Sequence, residues 1–162
     1  MAEPAQPEGG TDRVRWLDDW EQAVWRHLLS VESCLRERLD GDLRVAHGLS
    51  LGDYEVLVQL SEGDPGGLRM SDLAQRLLLS RSGLTRRVDG LVKEGLVERR
   101  ACPADGRGSM ARLTETGATR LRDAAPTHVA GVRRYLIDPL GDLHELAEGL
   151  NRVESALTHD VT

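Results

Sequence analysis

The 162-residue chain has no phenylalanine, and its aromatic side chains are Trp16, Trp20, Trp25, Tyr54 and Tyr135 alone. A pocket that holds a ligand by stacking must draw on those five. Lys93 is the only lysine, so nearly all the positive charge is arginine. The two cysteines, Cys34 and Cys102, are too few and too far apart for a disulfide framework or a zinc knuckle. No apolar run approaches the ~20 residues that span a bilayer, so no membrane partner is expected. The opening "MAEPAQPEGGTD" lacks the basic start and apolar stretch of a signal peptide, which predicts a cytoplasmic protein. "HELAE" sets His144 and Glu148 one helical turn apart but lacks the second histidine of a zinc-protease motif, and no metal site is expected. No nucleophile elbow, Walker loop or dinucleotide fingerprint is present. Neither an enzyme nor a cofactor is expected.

What is present is an uneven distribution of charge. The formal net charge is −6, yet residues 69–122 hold 12 Lys and Arg against 6 Asp and Glu. The remainder holds 9 basic and 21 acidic residues. One segment is built to meet a polyanion and the rest is not.

The first twelve residues are rich in Pro, Gly and Glu and predict a disordered tail. Leu17, Trp20, Val24, Leu28, Val31, Leu35 and Leu39 then recur at steps of three and four, the stripe of a long amphipathic helix ending near Asp40-Gly41. Ser50 and Asp53 form a capping-box-like pair before a second helix, which stops at Gly63-Asp64-Pro65-Gly66-Gly67. A short helix is predicted over Ser71 to Leu78 and another over Arg81 to Glu94, with a tight break at Leu79-Ser80. "LVERR" and "SMARL" read as two strands around an Asp105-Gly106-Arg107-Gly108 turn. Thr114 is an N-cap for a helix reaching toward Asp138-Pro139, which Pro126 should kink or split. Last, Leu136, Leu140, Leu143, Ala147, Leu150, Glu154 and Leu157 make a heptad-like seam, whose expected partners are the first helix and a second subunit.

The middle of the chain reads as a helix-turn-helix. Leu73, Leu77 and Leu84 would pack its two helices, with Ala74 at their close approach. Ser80 would cap the second, leaving first-turn N–H groups for a phosphate. At that end stand Arg81, Ser82, Gly83, Thr85, Arg86 and Arg87, types that grip phosphates and read base edges. Leu78 occupies the turn where glycine is common. The ribbon that follows describes a wing: Arg107 at its tip would enter the minor groove, Asp105 would orient the guanidinium, and Gly106 would keep bulk away.

The order "GLSLGDYEVLVQL", "RMSDLAQRLLLSRSGLTRRVDGLVKEGLVERR", "CPADGRGSMARLTETG" resembles the MarR family of bacterial transcriptional regulators. The family's D-x-R wing appears as Asp105-Gly106-Arg107, followed by Leu113-Thr114-Glu115-Thr116-Gly117. The resemblance implies a mainly α protein with a small β-wing. Its winged helix-turn-helix DNA-binding lobe, residues 49–118, would lie between an N-terminal dimerisation helix, 13–48, and C-terminal dimerisation helices, 119–158, after a disordered tail, 1–12. It also implies a homodimer on pseudo-palindromic double-stranded DNA, acting as a repressor released by a small-molecule effector. By the same resemblance Ser82, Thr85 and Arg86 make base and phosphate contacts. Trp20, Trp25, Arg26, His27 and Tyr54 are the candidates for an effector crevice. Two alternatives remain: redox sensing through Cys34 or Cys102, and a helical protein-interaction module without DNA binding.

Overall fold

The structure, a computed structural model, describes residues 14–102 and 105–159, with backbone alone for Cys102, 105–107 and His159. The expected disordered tail lies outside the described residues. The expected mainly helical fold with a small β-wing is found, in the order α1 (Asp19–His47), α2 (Leu51–Ser61), β1 (Leu68–Arg69), α3 (Met70–Arg76), α4 (Arg81–Lys93), β2 (Val97–Cys102), β3 (Asp105–Leu113), α5 (Glu115–Val132), a π-turn (Arg133–Ile137), α6 (Asp138–Leu140) and α7 (His144–His159). The chain divides into two compact units, and the division falls inside α1, between Cys34 and Leu35. No described helix is long and apolar enough to cross a membrane.

In the first unit, α1 opens with a reciprocal cap. The Glu21 amide donates to Asp18 Oδ1 at 2.8 Å, and the Asp18 amide donates to Glu21 Oε2 at 3.0 Å. The apolar stripe is legible but uncovered: Leu17, Trp20 and Val24 are 49%, 79% and 55% exposed.

The second unit holds the core. Here α1 does not stop near Asp40-Gly41 but runs to His47. A glycine inside a helix costs about 1 kcal/mol, whereas burying a leucine returns about 1.5–3 kcal/mol, and both Leu39 and Leu43 go into the core. Ser50 caps α2 by accepting from the Asp53 amide at 3.1 Å. Val56 and Leu57 of α2, Leu73 of α3 and Val88 of α4 are completely buried against one another.

The wing is a three-stranded antiparallel sheet ordered β1-β3-β2. β1 is a strand the sequence does not announce, since two residues carry no periodicity. It is held by pairing Leu68 with Ala111 and Arg69 with Met110. β2 and β3 extend further than expected. Their register jumps from Ala101 opposite Ser109 to Cys102 opposite Asp105, so residues 106–108 form an unpaired bulge on β3.

Pro126 does not split α5, which is continuous from Glu115 to Val132. One lost backbone bond is outweighed there by burial of Ala124 and Gly131. The proline that distorts the helix is Pro139 instead. Proline has no N–H to offer the Tyr135 carbonyl and its ring crowds that oxygen, so the preceding turn widens to a π-turn closed by the Asp138 amide on Arg133 O. The chain then turns at Gly141 before α7. The expected seam from Leu136 to Leu157 is therefore not one helix. The apolar face of α7 consists of Leu146, Leu150, Val153 and Leu157, all exposed.

Candidate nucleic-acid interface

The helix-turn-helix is formed by α3 and α4. Leu84, Val88 and Leu91 point one face of α4 into the core, at 2% exposure or less. The turn between the helices is a Schellman motif: the Leu79 amide donates to Ala74 O at 2.9 Å and the Leu78 amide to Gln75 O at 3.1 Å. Its left-handed position, φ +51°, is taken by Leu78 rather than glycine. The other end of α4 closes the same way, with Leu96 donating to Leu91 O and Gly95 to Val92 O, and there the left-handed residue is Gly95.

Ser80 caps α4, accepting from the Gly83 amide at 3.1 Å. That leaves the amides of Arg81 and Ser82, which have no acceptor one turn back, for an outside anion. Arg81, Ser82, Thr85 and Arg86 are exposed and Gly83 is half-buried. Among the described residues no ion pair engages Arg81 or Arg86.

The arginines of the ribbon behave differently. Arg99 pairs with Asp89 of α4 at 2.9 Å and its Nη2 donates to Thr85 O at 3.4 Å, which ties β2 to α4. Arg100 and Arg112 share Glu98, at 2.8 and 3.4 Å. Such half-exposed pairs add little stability, but they orient the ribbon. Arg107 lies in the β3 bulge; its side chain, like those of Asp105 and Cys102, lies outside the described residues.

The L-T-x-x-G stretch supports the ribbon from below. Thr114 Oγ1 accepts from the Gly117 amide at 3.0 Å and donates to Gly95 O at 2.7 Å, joining the start of α5 to the end of α4. A methyl at Gly117 would stand 2.1 Å from Leu96 O, so only glycine lets the chains approach.

Arg87 is not part of the outward set. It is half-buried, and its guanidinium donates to Asp53 Oδ1 at 3.3 Å and Ser50 Oγ at 3.4 Å. Of the effector candidates, Trp20, Trp25, Arg26 and His27 are exposed in the first unit. Tyr54 belongs to the second unit's core at 6% exposure, its ring centroid 4.6 Å from that of His128. Burial lowers the His128 pKa from its ordinary 6.5, against an opposing pull from the Glu55 charge, and raises that of Tyr54 above 10.0. Cys34 is a free, exposed thiol. His144 and Glu148 are 3.4 Å apart on α7, and among the described residues no third ligand joins them. A shallow groove that sequence reasoning did not anticipate runs between the end of α1 and α5, lined by Asp42, Val45, Thr127, Gly131 and Arg134. Its residues are far apart in sequence and carry no motif.

A capped helix with outward arginines, set by a short turn on a second helix and braced by an antiparallel ribbon, defines a winged helix-turn-helix protein. Residues 47–108 match a family model for the MarR family. The chain superposes on AbsC, a MarR family transcriptional regulator from Streptomyces coelicolor, with a TM-score of 0.82 and 42% identity over 90% of this chain and 99% of that one. It is 35% identical to Sco3205 from the same organism, a MarR family regulator solved in complex with DNA, with a TM-score of 0.82 over 91% of this chain and 92% of that one. CouR from Rhodococcus jostii RHA1, solved bound to p-coumaroyl-CoA, is 25% identical with a TM-score of 0.71, over 83% of this chain and 90% of that one. Among curated relatives, the repressor YetL of Bacillus subtilis is 29% identical over 60% of this chain, and the match spans 65% of its length. The chain belongs to the MarR family of transcriptional regulators, which are not enzymes.

Proposed function

We propose that the protein is a homodimeric, sequence-specific regulator that binds pseudo-palindromic double-stranded DNA in the cytoplasm and represses transcription until a small molecule releases it. In this reading residues 49–118 are the DNA-binding lobe, and 13–48 and 119–158 supply the dimerisation helices. The observation that carries it is the pair of arginines, Arg81 and Arg86, without an ion pair among the described residues, beside the exposed Ser82 and Thr85 at the open N-terminus of α4. In a chain of net charge −6, that concentration of free positive charge has a polyanion as its natural partner. α4 would occupy the major groove, with Gly83 admitting the backbone, while Arg107, supported by Asp105 and Gly106, enters the minor groove.

Dimerisation accounts for the uncovered apolar residues on each terminal helix, Trp20 and Val24 on one side of the sequence and Leu146, Leu150, Val153 and Leu157 on the other. Two recognition helices related by a two-fold axis would then meet half-sites about 34 Å apart. An effector would be held by the exposed Trp20, Trp25, Arg26 and His27, a set suited to an aromatic carboxylate.

The test is fluorescence anisotropy with labelled DNA from immediately upstream of the gene, titrated at several salt concentrations against an excess of random DNA. Tight, salt-dependent binding that survives the competitor is expected. Binding that the competitor abolishes at every salt would overturn sequence-specific recognition at that site.

A further inference from the structure

Arg86 and Arg87 are neighbours on α4 with different surroundings. Arg86 is exposed and unpaired among the described residues, whereas Arg87 reaches over the first turn of α2. The fit there is tight: a methyl on Gly52 would lie 2.1 Å from Arg87 Nη1 and 2.4 Å from its guanidinium carbon. The same turn is gripped from α1, where Asp40 Oδ1 accepts from the Leu51 amide at 2.8 Å while its other oxygen pairs with Arg44. The Arg44 hydrogen bond, with the Leu51 amide and the Arg44 and Arg87 charges, holds the Asp40 carboxyl below its ordinary range against partial burial.

As a device for stability alone this is poor. A cation over a helix N-terminus sits at the positive end of the dipole, and Arg87 Nε is buried with no hydrogen-bond partner among the described residues. An unbranched apolar side chain would fill the space without either penalty. What a planar cation adds is direction: both hydrogen bonds leave Nη1, whose N–H groups are locked in the guanidinium plane, so the pair of acceptors fixes the rotation of α4 about its axis relative to α2.

We infer that Arg87 is a positioning residue for DNA recognition: its guanidinium, seated on Gly52 and held by Asp53 and Ser50, sets the angle at which α4 presents Ser82, Thr85 and Arg86, and it makes no phosphate contact of its own. The inference rests on α4 being the recognition helix, as proposed above.

The test compares the full-length protein with Arg87→Met, Arg87→Lys, Gly52→Ala and the Gly52→Ala/Arg87→Met double variant. Specific DNA affinity is read at several salt concentrations, and hydrogen exchange across α2 and α4 is read without DNA. Each single variant is expected to lose about ten-fold in specific affinity. The slope of log affinity against log salt should stay unchanged, because no phosphate contact is removed. Lysine should not restore binding, since its ammonium rotates freely and has no plane to lie over Gly52. The double variant should bind no more weakly than Arg87→Met, because Gly52 acts only through Arg87. In the free protein, exchange in the first turns of α2 and α4 should quicken in all four.

A slope reduced by about 0.9 in Arg87→Met would mean a direct phosphate contact and would overturn the inference. So would unchanged affinity in Arg87→Met, additive losses in the double variant, or unchanged exchange. If the parent protein itself binds no DNA specifically, the proposed function fails, and the exchange data still decide whether the Arg87 clamp exists.

Discussion

The leucines and valines of this chain meet two fates. In the lobe between α2 and the ribbon they are engulfed: Val56, Leu57, Leu73 and Val88 have no exposed surface. On α7 the same residue types at the same helical spacing stand open, with Leu150, Val153 and Leu157 at 50%, 55% and 69% exposure. Helical periodicity alone does not distinguish the two. The difference is what lies opposite: the lobe's helices and strands cross and cover one another within the chain, whereas α7 carries a stripe with no cover of its own. Apolar surface left this way has its use in association rather than in folding.

The comparison is sharpest where each set loses one member. Leu57→Ala should destabilise the protein by about 2–5 kcal/mol in chemical denaturation, by the same amount at any protein concentration. Leu150→Asp should instead leave cooperative unfolding of the lobe intact and shift sedimentation from dimer to monomer. A Leu150→Asp protein that still sediments as a dimer would break the distinction.

The lobe has an exposed face of its own, and its arginines should act on binding without acting on stability. Arg86→Ala and Arg107→Ala are each expected to weaken specific DNA binding by about 1–3 kcal/mol in the anisotropy titration, with the melting temperature unchanged. A fall in melting temperature of the same size would mean that the side chain supports the fold.

Leu78 departs furthest from the lobe's pattern, a leucine 92% exposed in a left-handed turn. The other end of α4 has Gly95 in the equivalent place, so the two turns form an internal control. Left-handed backbone costs a leucine about 1–2 kcal/mol, and a glycine gives back part of that through the freedom of the unfolded chain. Leu78→Gly should therefore raise stability by roughly 0.5–1 kcal/mol. No gain would mean that the leucine contributes a contact of its own.

The smallest effect expected is on pH dependence. Burial favours neutral His128, so the folded protein binds this proton less readily than the unfolded chain does. Stability should fall as pH drops through 6.5 and level off below the lowered folded pKa. In His128→Gln that slope should be shallower, measured by denaturation between pH 7.5 and 5.5 (about one unit either side of the unfolded value).

Much of this was legible because it is local. Ser80 and Thr114 cap helices by accepting from amides three residues on, and those capping bonds are written in neighbouring residues. The α4 boundaries expected from Ser80 and Gly95 agree with the structure to within a residue. The L-T-x-x-G stretch could be recognised as a motif, but the need for its glycine appears only once Leu96 O is seen against it. α1 passes Gly41 because the core on the far side of the sequence accepts Leu43, and α5 passes Pro126 for the same kind of reason. β1 exists only because β3 lies beside it.

The recognition set shows the same division. The sequence by itself determined that arginine, serine and threonine would gather at a helix N-terminus in a basic segment, since composition and capping are written in neighbouring residues. Only the tertiary structure decided that Arg86 faces out and Arg87 faces in. One residue turns a helix by about 100°, and which of two adjacent arginines meets solvent depends on where α2 lies.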